Sequence, residues 1–147
     1  MTALSQHFSL EEMVASEYAE RHGIDNTPPP DVLEHLRATA DALEDVRSFL
    51  GHPIIIRSGY RSDALNKAVG GATHSAHMTG AAVDFICPAY GTPLQICEGL
   101  EASRIKFDQL IQEGTWVHIS FATPMRQEVL TAKFTAQGAQ YSKGLIG

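Results

Sequence analysis

The 147-residue chain carries a formal net charge of −6, with 44% hydrophobic and 19% charged residues, a balance that suits one domain spanning 1–147 with a real core. Its 11 lysines and arginines are scattered, which excludes nucleic acid as the main partner, and no apolar run reaches the ~18 residues needed to cross a bilayer. Cys87 and Cys97 fit neither a disulfide scaffold nor a zinc-finger spacing and read as buried free thiols.

The opening MTALSQHFSLEEMVASE has no basic segment and no continuous apolar core, so it does not read as a secretory signal, and the chain is expected to stay in the cytoplasm as synthesised. Ser9 followed by Glu12 is a capping-box pattern and Gly23 a stop, which predicts one helix over 9–22. NTPPP interrupts it. From Asp31, apolar residues recur near the helical period (Val32, Leu33, Leu36, Leu43, Val46, Leu50) and predict a helix ending at Gly51. A β-branched strand is expected over 53–57, then a glycine turn, then a short helix in SDALNKAV closed by Gly70 and Gly71. Thr92 and Pro93 start a helix of about 93–103. FDQLIQ and WVHISF read as two strands of a hairpin turning at Glu-Gly-Thr. The tail, 124–147, gives no clear pattern. Helices first and strands after predict an α+β fold.

The stretch THSAHMTGAAVDF, 73–85, raises a chemical question. In AAVDFI, Val83 and Phe85 share the face that a core requires, so Asp84 lies on the other face of a half-buried strand. An unpaired carboxylate there is costly; a salt bridge, a cap or a metal would offset that cost. In WVHISF the residues Val117, Ile119 and Phe121 form one apolar face, leaving Trp116, His118 and Ser120 on the other. Two histidines and one carboxylate with an open fourth position are the ligand set of a catalytic zinc site, whereas a structural site closes with four ligands, usually rich in cysteine. Cys87, three residues past Asp84 and on the opposite face, is a poor fourth ligand.

SGYRS at 58–62, VGGATHSAHMTGAAVDF at 69–85 and WVHISF at 116–121 together resemble the zinc D-alanyl-D-alanine carboxypeptidases of the M15 peptidase family, which includes bacterial enzymes and phage cell-wall lysins. The S-x-H-x-x-G-x-A-x-D core is matched at Ser75, His77, Gly80, Ala82 and Asp84, and the W-x-H element at Trp116 and His118. The resemblance covers about 6–123 and implies one zinc per chain, held by His77, Asp84 and His118. It selects His77 over the neighbouring His74. It also implies the hedgehog/DD-peptidase type of α+β fold, with N-terminal helices packed on a small, mainly antiparallel sheet.

Peptide hydrolysis also needs a general base. Many relatives carry glutamate three residues before the last histidine, where this chain has Thr115. Glu113, expected to pair across the hairpin from Trp116 and diagonal to His118, is the candidate base, with Asp108 as the alternative on the opposite strand face. Arg61, following the glycine turn, suits a substrate carboxylate, with Arg57 as its substitute and Ser75 as the substrate's hydrogen-bonding partner that the resemblance implies. Trp116 is read as a cleft wall and Tyr60 as packing. The resemblance implies a peptidoglycan stem peptide as substrate, cut by a D-Ala-D-Ala carboxypeptidase or L-Ala-D-Glu endopeptidase activity. A monomer is expected, reaching the cell wall only if released, as in phage lysis. Two other readings remain: a cytoplasmic D-Ala-D-Ala dipeptidase, and a non-catalytic zinc-binding assembly module.

Overall fold

The computed structural model describes residues 2–146. Its N-terminal segment is two helices, α1 (Leu10–Val14) and α2 (Glu17–His22), not the single helix expected over 9–22. Ser9 and Glu12 do form the reciprocal capping box. Ala15 then leaves the helix at ψ 135, and the Ser16 hydroxyl accepts from the Ala19 N–H to start a second one. Serine competes for backbone groups more effectively at a cap than inside a helix, so a residue read as interior is a boundary.

Helix α3 (Pro30–Leu50) follows the periodicity, burying Val32, Leu36, Ala40, Leu43, Val46 and Leu50, and ends at left-handed Gly51. Strand β1 (Ile55–Ser58) and helix α4 (Asp63–Ala68) lead into a 3₁₀ turn, Ala76–Thr79, and strand β2 (Ala82–Ile86). Thr92 caps α5 (Pro93–Ala102) in a second capping box, with Gln95. Strands β3 (Gln109–Gln112) and β4 (Val117–Ser120) form the expected hairpin, with Gln112 opposite Val117.

The tail is structured. Strands β5 (Glu128–Thr135) and β6 (Gly138–Lys143) make a second hairpin, and β5 joins β3 in parallel. One mixed sheet results, ordered β1-β2-β4-β3-β5-β6 and antiparallel at every other pairing. Val83, Phe85, Leu110, Val117 and Ile119 are buried in one cluster with Leu36, Leu43 and Val46 of α3 and Ile96 and Leu100 of α5. Burying such side chains stabilises by about 1.5–3 kcal/mol each, which fixes the strands' faces. Cys87 and Cys97 are free and buried in that core. The opposite face of β2 and β4 is left to carry chemistry.

Candidate metal centre

Strands β2 and β4 pair so that Asp84 lies directly opposite His118. With Val83 and Phe85 committed to the core, the pleat turns Asp84 and His118 to the other face together. His118 Nδ1 stands 3.0 Å from Asp84 Oδ1, and His77 Nε2 stands 3.3 Å from the same oxygen. The two imidazole rings meet edge-on, 5.1 Å apart at 65°.

His77 reaches this place from the 3₁₀ turn. The Ser75 hydroxyl accepts from the His77 N–H to cap the turn, and Gly80 closes it at φ 81. Gly80 also lies against α3, where an added Cβ would sit 3.1 Å from the Val32 carbonyl oxygen, while its own carbonyl accepts from Thr39 Oγ1 at 2.7 Å. Its left-handed φ and tight fit both favour glycine. His77 Nδ1 is 2.7 Å from the Gly59 carbonyl oxygen. A carbonyl can only accept, so Nδ1 holds the proton and Nε2 presents its lone pair to Asp84 and the site.

One ligand atom from each of His77, Asp84 and His118 lies within 4.8 Å of the other two. Burial alone would raise the Asp84 carboxyl pKa, but the His77 and His118 imidazoles outweigh it and hold the group as a carboxylate. Burial lowers the His77 pKa, against the pull of the Asp84 carboxylate. Two imidazole nitrogens and an ionised oxygen, converging with one nitrogen oriented by a carbonyl, fit a divalent metal with N/O preference. His74 is exposed and outside this group.

Glu113 stands beside it. Its backbone N–H donates to the Trp116 carbonyl, as the expected register requires, and its Oε2 lies 3.9 Å from His118 Nδ1. The side chain is only 11% exposed, and burial together with the Asp84 charge pushes its pKa up to about 7, against the pull of His118 and Arg61. The Trp116 indole N–H is directed toward Glu113 but outside hydrogen-bond geometry, so it is a buried donor without a partner. Asp108 is engaged elsewhere: Arg126 grips it with Nε at 2.7 Å and Nη2 at 2.9 Å, holding its pKa down.

On the other side a cleft of about 670 Å³ is lined by Arg57, Arg61, Tyr60 and Asp84, and by Ala15, Ser16 and Glu17 at the α1–α2 break. That break, absent from the sequence reading, therefore shapes the cleft wall. Arg61 hydrogen-bonds through its backbone to the His77 carbonyl at 3.1 Å, and its buried Nε has no partner. Burial lowers its pKa while Asp84 and Glu113 raise it, yet the guanidinium stays charged. Tyr60 is buried, with its backbone N–H on the Met13 carbonyl.

A protein-family model described as Peptidase M15 matches residues 6–120. No curated protein matches the chain.

Proposed function

Because the chain belongs to the M15 peptidase family and is thus a metallopeptidase, we propose that it is a zinc enzyme hydrolysing peptidoglycan stem peptides, of D-Ala-D-Ala carboxypeptidase or L-Ala-D-Glu endopeptidase type. His77, Asp84 and His118 hold the metal. Zinc, when bound, supplies Lewis-acid polarisation of a carbonyl and makes water acidic enough to react near neutral pH. Glu113 takes the proton from the attacking water and delivers it to the leaving amine, so that the new C–O bond and the broken C–N bond balance. Its burial beside His118 keeps that proton out of bulk solvent. Arg61 binds a substrate carboxylate through its unpaired guanidinium edge, and Arg57 adds positive charge to the same cleft. Ser75 and Trp116 border the bound peptide.

The observation carrying this reading is the placement of a proton acceptor and an unpaired arginine on either side of one His-Asp-His group. Zinc-loaded protein incubated with defined muropeptides, with products weighed by mass spectrometry, tests it. Released D-Ala identifies the carboxypeptidase, cleaved L-Ala-D-Glu the endopeptidase, and turnover of free D-Ala-D-Ala alone the dipeptidase. Full zinc occupancy with no hydrolysis of any of these peptides sinks the proposal.

A further inference from the structure

The β5–β6 hairpin lies beyond residues 6–120, the span the family model matches, yet it is built onto the face that carries the metal-binding residues. Leu130 of β5 is opposite Ile111 of β3, and Ile111 is opposite His118 of β4. The pleat therefore puts Leu130, Ala132 and Phe134 on the His118 face, with Tyr141 opposite Ala132 and Ala139 opposite Phe134. The Phe134 ring meets Trp116 with centroids 5.7 Å apart at 37°, and Trp116 is two residues from His118. Partial burial and the Glu113 and Asp84 carboxylates hold the Tyr141 phenol pKa up, which places that ring within the field of the site.

Phe134 and Tyr141 are each 57% exposed, the most of any large apolar side chain described. Alanines stand beside them at 132 and 139, and Glu128, the acidic residue on that face of β5, lies at the far end of the strand, six residues from Phe134. The rings are thus open to solvent rather than the lining of an enclosed pocket. An aliphatic side chain gains most from enclosure, whereas the C–H face of a pyranose gains by lying flat on an aromatic ring while its hydroxyls stay in water. Across the sheet, the arginine-lined cleft lies at the β1 end, bordered by Asp84; His118 and Glu113 come next, and the rings lie beyond them.

Resting on the peptidoglycan reading above, we propose that Phe134 and Tyr141 form a saccharide subsite for the sugar that bears the stem peptide, on the side of the metal away from Arg61. With strands ~4.8 Å apart and ~3.3 Å per residue along them, the register puts the backbone of Phe134 and of Tyr141 about 16 Å from that of His118. At ~3.4 Å per extended residue, a sugar at that distance has about four or five residue lengths between it and the metal-binding residues.

Two substrates with the same stem peptide, one joined to its N-acetylated disaccharide and one free, test this on the zinc-loaded full chain. The wild type is expected to prefer the glycan-bearing form by about tenfold or more in kcat/KM. Phe134→Ala/Tyr141→Ala is expected to lose more on that form, bringing the ratio near one with zinc content retained. No wild-type preference, or equal losses on both substrates, overturns the subsite. Trp116, the sole tryptophan, gives a readout free of turnover: titrating the disaccharide alone into Glu113→Gln should produce a saturable fluorescence change that Tyr141→Ala abolishes. A flat titration overturns the subsite even if the protein hydrolyses neither substrate, an outcome that sinks the peptidase reading separately.

Discussion

At the His77 ring a single acceptor decides which nitrogen faces the metal site, since the Gly59 carbonyl takes the Nδ1 proton and frees Nε2. Three ligands drawn from the 3₁₀ turn, β2 and β4 should bind about one zinc per chain, and His77→Ala, Asp84→Ala or His118→Ala should each abolish tight binding in equilibrium dialysis. Stoichiometric zinc in all three variants rejects the assignment. Glu113 tests chemistry apart from ligation. Glu113→Gln keeps the hairpin and the metal but cannot accept a proton, so kcat should fall by about 10² to 10⁴. Wild-type turnover in that variant would remove Glu113 from the reaction. Arg61→Ala, with zinc unchanged, should lower kcat/KM by about a hundredfold, the worth of a charge-assisted carboxylate contact; unaltered turnover would shift the anchor to Arg57, which lines the same cleft.

Among the elements, those read correctly carry strong local signals. Helix α3 has its period and Gly51, α5 has Thr92-Pro93 with Gln95, and the β3–β4 hairpin has its glycine turn, which was enough to give Glu113 its register opposite Trp116. The α1–α2 break was missed because Ser16 is as compatible with a helix surface as with a cap, and only the chain's path around Gly59 distinguishes the two. Gly59 sits so close that an added Cβ would lie 2.2 Å from the Met13 carbonyl oxygen, while Tyr60 N–H donates to that same oxygen at 2.7 Å. The β5–β6 hairpin was missed because what positions it is distant in sequence: parallel pairing with β3 and the Asp108–Arg126 clasp just before β5. That clasp gives a pH dependence. Asp108 has a folded pKa below its unfolded value, so its stabilisation is complete above about pH 4 and is lost as pH falls through the folded value. Asp108→Asn should lower stability at pH 7 in urea melts and should flatten the acid limb of stability; an unchanged limb would show that the pair contributes little.

Over the whole molecule, the convergence of His77, Asp84 and His118 was legible while its surroundings were not, because the motif residues are placed by strand alternation, a local rule, whereas the cleft is made by segments that meet only on folding. Ser16 and Arg61 line one side, and Phe134 reaches Trp116 on the other. The same topology links metal to stability. His77, Asp84 and His118 come from segments separated by up to 41 positions, and they assemble only when β2 is paired with β4. The unfolded chain holds no such site, so metal binds the folded state and stabilises it by RT ln(1 + [M]/Kd), about 4 kcal/mol at a thousandfold excess over Kd. For a chain of this size that corresponds to a rise in Tm of roughly 8–16 °C. Gly59→Ala should act on both quantities at once. Forcing its neighbour away from Met13 should lower the Tm of metal-free protein, by about 1–3 kcal/mol in stability, and moving the carbonyl that orients His77 should shrink the further rise that zinc provides. His118→Ala should lose the zinc-dependent rise entirely. Calorimetry with and without chelator on the three proteins separates the effects: if Gly59→Ala retains the full zinc-dependent shift, the Gly59 carbonyl does not orient the ligand.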